Sequence, residues 1–137
     1  MKLGLKREST KRLKDNQLDN IKEYTPKDYY EISSWFWGRD MAVPLPEDLP
    51  EVGLIVPGVA AGFLIWTDTS VAILDFFITN PKEISFKRGR ALNDIIDGLM
   101  LRAKQIGFTK VKCDSNIAAI QRKAKSLGFS DLGTYKA

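Results

Sequence analysis

ILDFFITNPKEISFKRGRALNDIIDGLMLRAKQIGFTKVKCDSNIAAIQRKAKSLG, residues 73–128, is the stretch whose reading decides the fold. It opens on an apolar strand ending in ILDFFITNP and passes through a basic turn, FKRGRALND, into an amphipathic helix. A short strand, TKVKCDS, follows, and then a second helix from Asn116 that stops at Gly128. Within the first helix Ala91, Leu92, Ile95, Ile96, Leu99, Met100, Ala103 and Ile106 recur at helical spacing and form a wide inward stripe, with Gly107 as its stop. In the second, Ile117, Ile120, Ala124 and Leu127 face inward, with Asn116 as the N-cap. A strand that feeds a cationic helix start presents unpaired amides and positive side chains together, the arrangement that binds a ligand phosphate. A phosphorylated cofactor is the ligand class this order implies.

Working outward toward the N-terminus, the run VAILDFFI at 71–78 is apolar on both faces, which marks a central strand covered by helices, with Asp75 as its one charge. Two more apolar runs precede it, GLIV and VAAGFLIW, separated by Pro57-Gly58 and closed by Thr67-Asp68-Thr69-Ser70. That spacing predicts a hairpin meander. Pro44, Pro46 and Pro50 make the segment before it a stiff connection. TPKDYYEISSWFW reads as a helix with Thr25 as N-cap, Pro26 in the first position, Asp28 beside the positive end of the helix dipole and Gly38 as the end. Leu18–Tyr24 is expected as a short edge strand. On the predicted helix, the cluster Tyr29, Tyr30, Trp35, Phe36 and Trp37 is expected to be mostly core or contact surface; base stacking or an acceptor pocket are the other uses of such rings. The closing segment FSDLGTYKA carries no assignment.

Length and composition are those of one globular domain: 137 residues, 44% hydrophobic and 28% charged. The division expected is a basic arm over 1–17 and a single domain over 18–137. The longest apolar stretch, VGLIVPGVAAGFLIW, is shorter than the roughly 20 residues of a membrane span and is broken by Pro57-Gly58, so no membrane partner is expected. A basic N-terminus without an apolar run behind it does not read as a signal peptide, and the lone Cys113 fits a reducing, cytoplasmic setting. In an alternating strand that cysteine is read as core rather than as a nucleophile. Histidine is absent, which excludes Ser-His-Asp hydrolysis and the usual zinc sites, so no metal is expected.

Charge is unevenly placed. Residues 1–14 hold six basic residues against Glu8, a net +5, while the remaining 15 basic and 16 acidic residues net −1. The arm is read either as a solvated tail or as a contact for an acidic protein surface. Nucleic acid is the weaker partner, since no groove-reading motif accompanies the charge.

The sequence as a whole resembles the GNAT superfamily of acyl-CoA-dependent N-acyltransferases over about residues 18–137. The resemblance rests on the TP-x-D helix start, the meander, the cationic strand-to-helix turn and an Asn-x-x-Ala helix ending in Gly-Phe. The small GNAT-like proteins of tailed bacteriophages are the nearest likeness, through Leu49-Pro50-Glu51-Val52-Gly53, DFFITNP and RGRAL. The resemblance implies an α/β (α+β) fold with a mixed, mostly antiparallel central sheet flanked by helices, and acetyl-CoA as cosubstrate. It assigns the diphosphate cradle to Arg88, Gly89, Arg90, Ala91 and Leu92, in the register that matches the family's arginine; the alternative register begins at Phe86 and matches its glycine. It assigns the pairing with the pantetheine arm to the backbone of Phe77, Ile78 and Thr79, and a further pantetheine contact to Asn116.

The resemblance implies direct acyl transfer to an amine, which needs a base but no covalent enzyme intermediate. Asp75 is the candidate base, on a strand where apolar neighbours favour its neutral form. The family's usual acid, a tyrosine in the last helix, is replaced here by Lys123 or Ala124, which leaves Tyr135 as the substitute. Two functions follow: a working N-acetyltransferase in a bacterial or phage-infected cytoplasm, or a protein that keeps the fold without turnover and serves as a structural or binding component, of a phage particle or a host-directed complex.

Overall fold

A computed structural model of the chain describes residues 20–113, 115, 117–129 and 134–136. The basic arm, residues 18 and 19, and Asn116 lie outside the described residues. Six strands form one sheet in the order β1-β2-β3-β4-β5-β6: β1 (Lys22–Glu23), β2 (Val52–Val56), β3 (Ala60–Ile65), β4 (Val71–Thr79), β5 (Lys110–Cys113) and β6 (Thr134–Lys136). Every neighbouring pair is antiparallel except β4 and β5, which are parallel. The expected mixed, mostly antiparallel sheet is the one observed. Among the described residues three α-helices accompany it: α1 (Tyr29–Gly38), α2 (Ser85–Ile106) and α3 (Ala118–Ser126). The parallel step exists because α2 carries the chain from the end of β4 back to the start of β5, as parallel pairing requires. Among the described residues no helix is long and apolar enough to cross a membrane.

Alternation along the strands sorts the core into two layers. On one face Leu54, Val56, Leu64, Leu74 and Phe77 pack with Ala91, Leu92, Ile95, Ile96 and Leu99 of α2. On the other, Ile55, Ala61, Phe63 and Ile78 pack with Ile32, Trp35 and Phe36 of α1. The helical stripe read from the sequence is thus the buried face of α2. Val111 and Cys113 of β5 are buried and Lys110 and Lys112 exposed, so Cys113 is core.

Four local expectations change. The α1 helix is entered through a 3-10 turn, Pro26–Asp28, with the Asp28 carboxylate accepting the Thr25 N–H at 2.9 Å. The helix expected to open around Arg88 begins three residues earlier, at Ser85. Ile117, not Asn116, takes the N-cap position of α3, and Ser115 Oγ accepts the Ile117 N–H at 3.1 Å. The unassigned closing segment contains β6, antiparallel to β5 with Tyr135 opposite Val111. Of the aromatic cluster, Trp35 and Phe36 are core, Tyr29 donates its hydroxyl to Pro44 O at 2.7 Å, and Tyr30 and Trp37 are exposed.

Candidate functional site

The sheet opens where β4 and β5 part. Among the described residues, pairing between them runs from Val71 opposite Lys110 to Leu74 opposite Cys113, while β4 continues five residues further, to Thr79. At the same point β4 carries a bulge against β3. Ala61 faces Ile78 and Phe63 faces Asp75, so Gly62 alone stands opposite Phe76 and Phe77. The extra residue is absorbed at Phe76, which has a φ of 58°. A bulky side chain in left-handed backbone is costly, and such bulges bend and re-aim a strand. Gly62 is required here, because a Cβ at that position would lie 2.6 Å from the Phe77 ring.

The parting leaves a cleft of about 840 Å³ lined by Asp75, Phe76, Phe77, Ile78 and Thr79 on one wall, Ser115 and Ile117 on the other, and Phe36, Arg39 and Met41 from the end of α1. The Asn80 N–H bonds to Val59 O at 2.8 Å. By antiparallel alternation Ile78 then turns its peptide groups toward β3 and Thr79 turns its own toward the cleft. Three residues the sequence assigned to one role are therefore divided: Thr79 offers backbone to the cleft, whereas Ile78 is committed to the ladder. Asp75 also reaches the cleft. It is exposed rather than surrounded by apolar neighbours, since strand alternation puts it on the face opposite to buried Ala72 and Leu74, and its Oδ1 accepts the Phe76 N–H at 2.7 Å.

Beyond Thr79 a fixed turn delivers the chain to α2. Asn80 holds it with three bonds: its Nδ2 to Gly58 O at 2.9 Å, its Oδ1 from the Lys82 N–H at 2.9 Å, and its O from the Glu83 N–H at 3.1 Å. The early start of α2 relocates the free amides. The Arg88 N–H bonds Ile84 O at 3.1 Å and the Ile84 N–H bonds Glu83 Oε1 at 3.0 Å. Unsatisfied first-turn donors are then those of Ser85, Phe86 and Lys87, not the amides of residues 88–92. The expectation that the main chain of Arg88 to Leu92 is open is corrected by one helical turn, and Ala91 and Leu92 are core. Arg88 donates from Nη1 to Glu83 O and so braces the turn. Gly89 and Arg90 face a second hollow, of about 540 Å³, between α2 and α3, together with Ser85, Phe86, Arg122 and Lys123.

Sequence reasoning missed Arg39. At the end of α1 its Nε donates to Thr79 O at 2.9 Å and its Nη2 to Thr79 Oγ1 at 2.6 Å. Burial, and then the charge of nearby Arg88, pull its pKa below the ordinary guanidinium value. A basic residue closing a helix reads as a partner for the helix dipole, and nothing in the spacing tells that it reaches a strand forty positions later. Ser115 and Phe76 were likewise unsignalled. Tyr135, the candidate acid, has its backbone level with Val111 and hence with Ala72 of β4, below the point where the strands part. Lys123, standing where the family's tyrosine was sought, is ion-paired to Asp97 at 3.0 Å.

On the far side of Phe76 a third hollow, of about 390 Å³, is lined by Glu47, Asp48, Glu51, Leu64 and Trp66 among others. Phe76 belongs to this groove and to the cleft, so the bulge is the wall between them.

No family model matches the chain, and no curated protein matches it in sequence. Solved structures do match in fold. A putative acetyltransferase, yncA, from Salmonella typhimurium, solved with its cofactor acetyl-CoA, is 14% identical with a TM-score of 0.58, over 80% of this chain and 78% of that one. A GNAT-family acetyltransferase from Staphylococcus aureus Mu50 is 14% identical with a TM-score of 0.60, over 81% and 84%. The ribosomal-protein-S18-alanine N-acetyltransferase from Escherichia coli is 18% identical with a TM-score of 0.53, over 80% and 76%. The sheet that parts between β4 and β5 is thus part of a GNAT fold, the fold of this chain.

Proposed function

We propose that the chain is an acetyl-CoA-dependent N-acetyltransferase acting on an amine. The observation that carries the reading is that β4 runs past its last described pair with β5 to Thr79, whose N–H is turned to the cleft while Arg39 holds its carbonyl, and leads to the unsatisfied amides of Ser85, Phe86 and Lys87. A strand edge pairs with the amides of a pantetheine arm, and a helix start with a diphosphate. Coenzyme A supplies the acyl group as a thioester, and the chain's part is to bind, align and move a proton. Phe77 and Thr79 align the arm and Ile78 backs it from the core. The first turn of α2 with Arg88, Gly89 and Arg90 receives the phosphates, Ala91 and Leu92 anchor that turn in the core, and Asn116 adds a polar contact.

Asp75, exposed in the cleft, takes the amine's proton through water. The departing thiolate takes its proton from Tyr135 or from solvent, and Tyr135→Phe separates these routes by its effect on kcat. The amine approaches from the groove beyond Phe76, where Glu47, Asp48 and Glu51 suit a cationic acceptor.

Thermal unfolding with and without acetyl-CoA is the test. At about 100 times the dissociation constant a cosubstrate that binds only the folded state adds about 2.7 kcal/mol, a rise of several degrees in Tm. Thiol release on adding amines then reports turnover. An absence of any shift would sink the reading. The alternative, a catalytically degenerate fold kept as a binding or structural component of a phage particle or host-directed complex, is favoured by Lys123 and Ala124 standing where the tyrosine was sought; a shift without turnover would support the degenerate transferase, and no shift alongside stable assembly with other proteins the structural role.

A further inference from the structure

We infer that Arg39 is a phosphate ligand, and that with Arg88 it forms a two-arginine clamp across the mouth of the cleft for the diphosphate of a nucleotide-bearing ligand. The inference rests on the acetyl-CoA reading for the identity of that ligand, and on the geometry alone for its charge. Arg39 arrives from the end of α1, where the Gly38 backbone lies against Pro81: a Cβ on Gly38 would sit 3.1 Å from the Pro81 ring. That contact fixes the helix end beside the turn between β4 and α2.

The guanidinium lines the cleft and is oriented by two bonds to one residue, Nε to Thr79 O at 2.9 Å and Nη2 to Thr79 Oγ1 at 2.6 Å. Of five N–H donors, those two are used and three remain. Among the described residues neither Arg39 nor Arg88 is ion-paired with a carboxylate. Arg39 is bonded to Thr79 and Arg88 to Glu83 O, so both guanidiniums brace the same turn between β4 and α2; burial, and then the charge of Arg88, disfavour the charge of Arg39. Two like charges held together in this way are mutually destabilising until an anion bridges them. The dianionic diphosphate is the group whose size and charge suit two guanidinium forks and the three free amides of the adjacent helix turn. Holding Thr79 also ties the clamp to the strand edge, so the arm and the phosphates of one ligand are set in a single frame.

The test uses the full chain and three probes: coenzyme A, pantetheine, which lacks the diphosphate, and inorganic pyrophosphate. Arg39→Gln should weaken coenzyme A binding tenfold or more, as loss of charged hydrogen bonds does, and leave pantetheine binding unchanged. Arg39→Lys, which keeps the charge and loses the fork, should fall between. A role confined to bracing Thr79 would weaken coenzyme A and pantetheine alike, and that result overturns the inference. Arg88→Gln measured in parallel should reproduce the selective loss. Should coenzyme A fail to bind the wild-type chain while pyrophosphate binds and is lost in Arg39→Gln, the acetyl-CoA reading falls and the clamp stands for another phosphate ester. Wild-type protein that binds neither overturns the clamp.

Discussion

From Val71 to Leu74, β4 is paired with β5 throughout, and at Ile73 and Leu74 with β3 as well; among the described residues, Asp75 to Thr79 pairs with β3 alone. The two halves lie in the same strand, the first wholly apolar and the second carrying Asp75 and Thr79 beside Phe76, Phe77 and Ile78. In the first, Ala72 and Leu74 are buried in the α2 layer and the backbone is used up in the sheet. In the second, the bulge at Phe76 has turned the strand away, and the backbone freed on one edge faces a cleft. Left-handed backbone at a phenylalanine costs on the order of 1–3 kcal/mol and persists only where packing over-determines it. Here the Phe76 ring stands edge-on to Phe63, centroids 6.3 Å apart, and Phe77 is buried over Gly62. The difference teaches that one inserted residue, together with the polar Asp75 and Thr79, separates the half that holds the fold from the half that can hold a ligand.

The comparison breaks most visibly if the paired half is damaged. Leu74→Ala removes a side chain with 0% exposure from the layer between the sheet and α2, and should cost about 2–5 kcal/mol of stability in urea unfolding. The protein that remains folded should bind coenzyme A as the wild type does, because the mutation lies below the parting. A loss of affinity matching the loss of stability would show that the halves are not separable.

Gly62→Ala acts at the hinge between them. The new Cβ would lie 2.6 Å from the Phe77 ring and 3.0 Å from Ile95 Cγ2, so the bulge or α2 must shift, at about 1–3 kcal/mol. Unlike Leu74→Ala, this change should also weaken coenzyme A binding, since Phe77 is a wall of the cleft. Equal destabilisation with wild-type affinity would unlink the bulge from the site.

The paired half was legible in the sequence and the parted half was not, for a physical reason. Burial on both faces writes itself as a continuous apolar run, and the α2 stripe from Ala91 to Ile106 follows from a period of 3.6. Turn signals at Pro57-Gly58 and at 67–70 set the meander. A bulge leaves no such mark, since Phe76 and Phe77 read as ordinary strand residues. The start of α2 was misplaced because Arg88-Gly89-Arg90 resembles a helix entry, while Ile84, the real N-cap, has no side chain able to cap. Arg39 was illegible because its partner is forty residues away. The closing strand was missed since Thr134–Lys136 is three residues long and depends on β5 for its existence.

The smallest effect sharpens the comparison from above, through the helix that roofs the parted half. α1 packs Ile32, Trp35 and Phe36 against Ile78, and its entry is tied down by Asp28. Burial pushes the Asp28 carboxyl up, but the Thr25 N–H at 2.9 Å, the Lys22 ammonium at 3.0 Å and the Thr25 hydroxyl outweigh it and hold the group below its ordinary value. A folded value below the unfolded one means that the unfolded chain takes up a proton first as pH falls. The stabilisation is therefore complete above the ordinary carboxylate range and is lost as pH falls through the lower, folded value. Asp28→Asn should cost about 1 kcal/mol near neutral pH, as loss of a cap does, with coenzyme A affinity little changed because Arg39 anchors the other end of the helix. The gap between the variant and the wild type should begin to shrink below about pH 4 and vanish once pH is below the lowered folded value, where both chains carry an uncharged group. A gap constant from neutral pH down to about pH 2 would mean that the charge of Asp28 contributes nothing to the roof, and that shape alone holds α1 over the cleft.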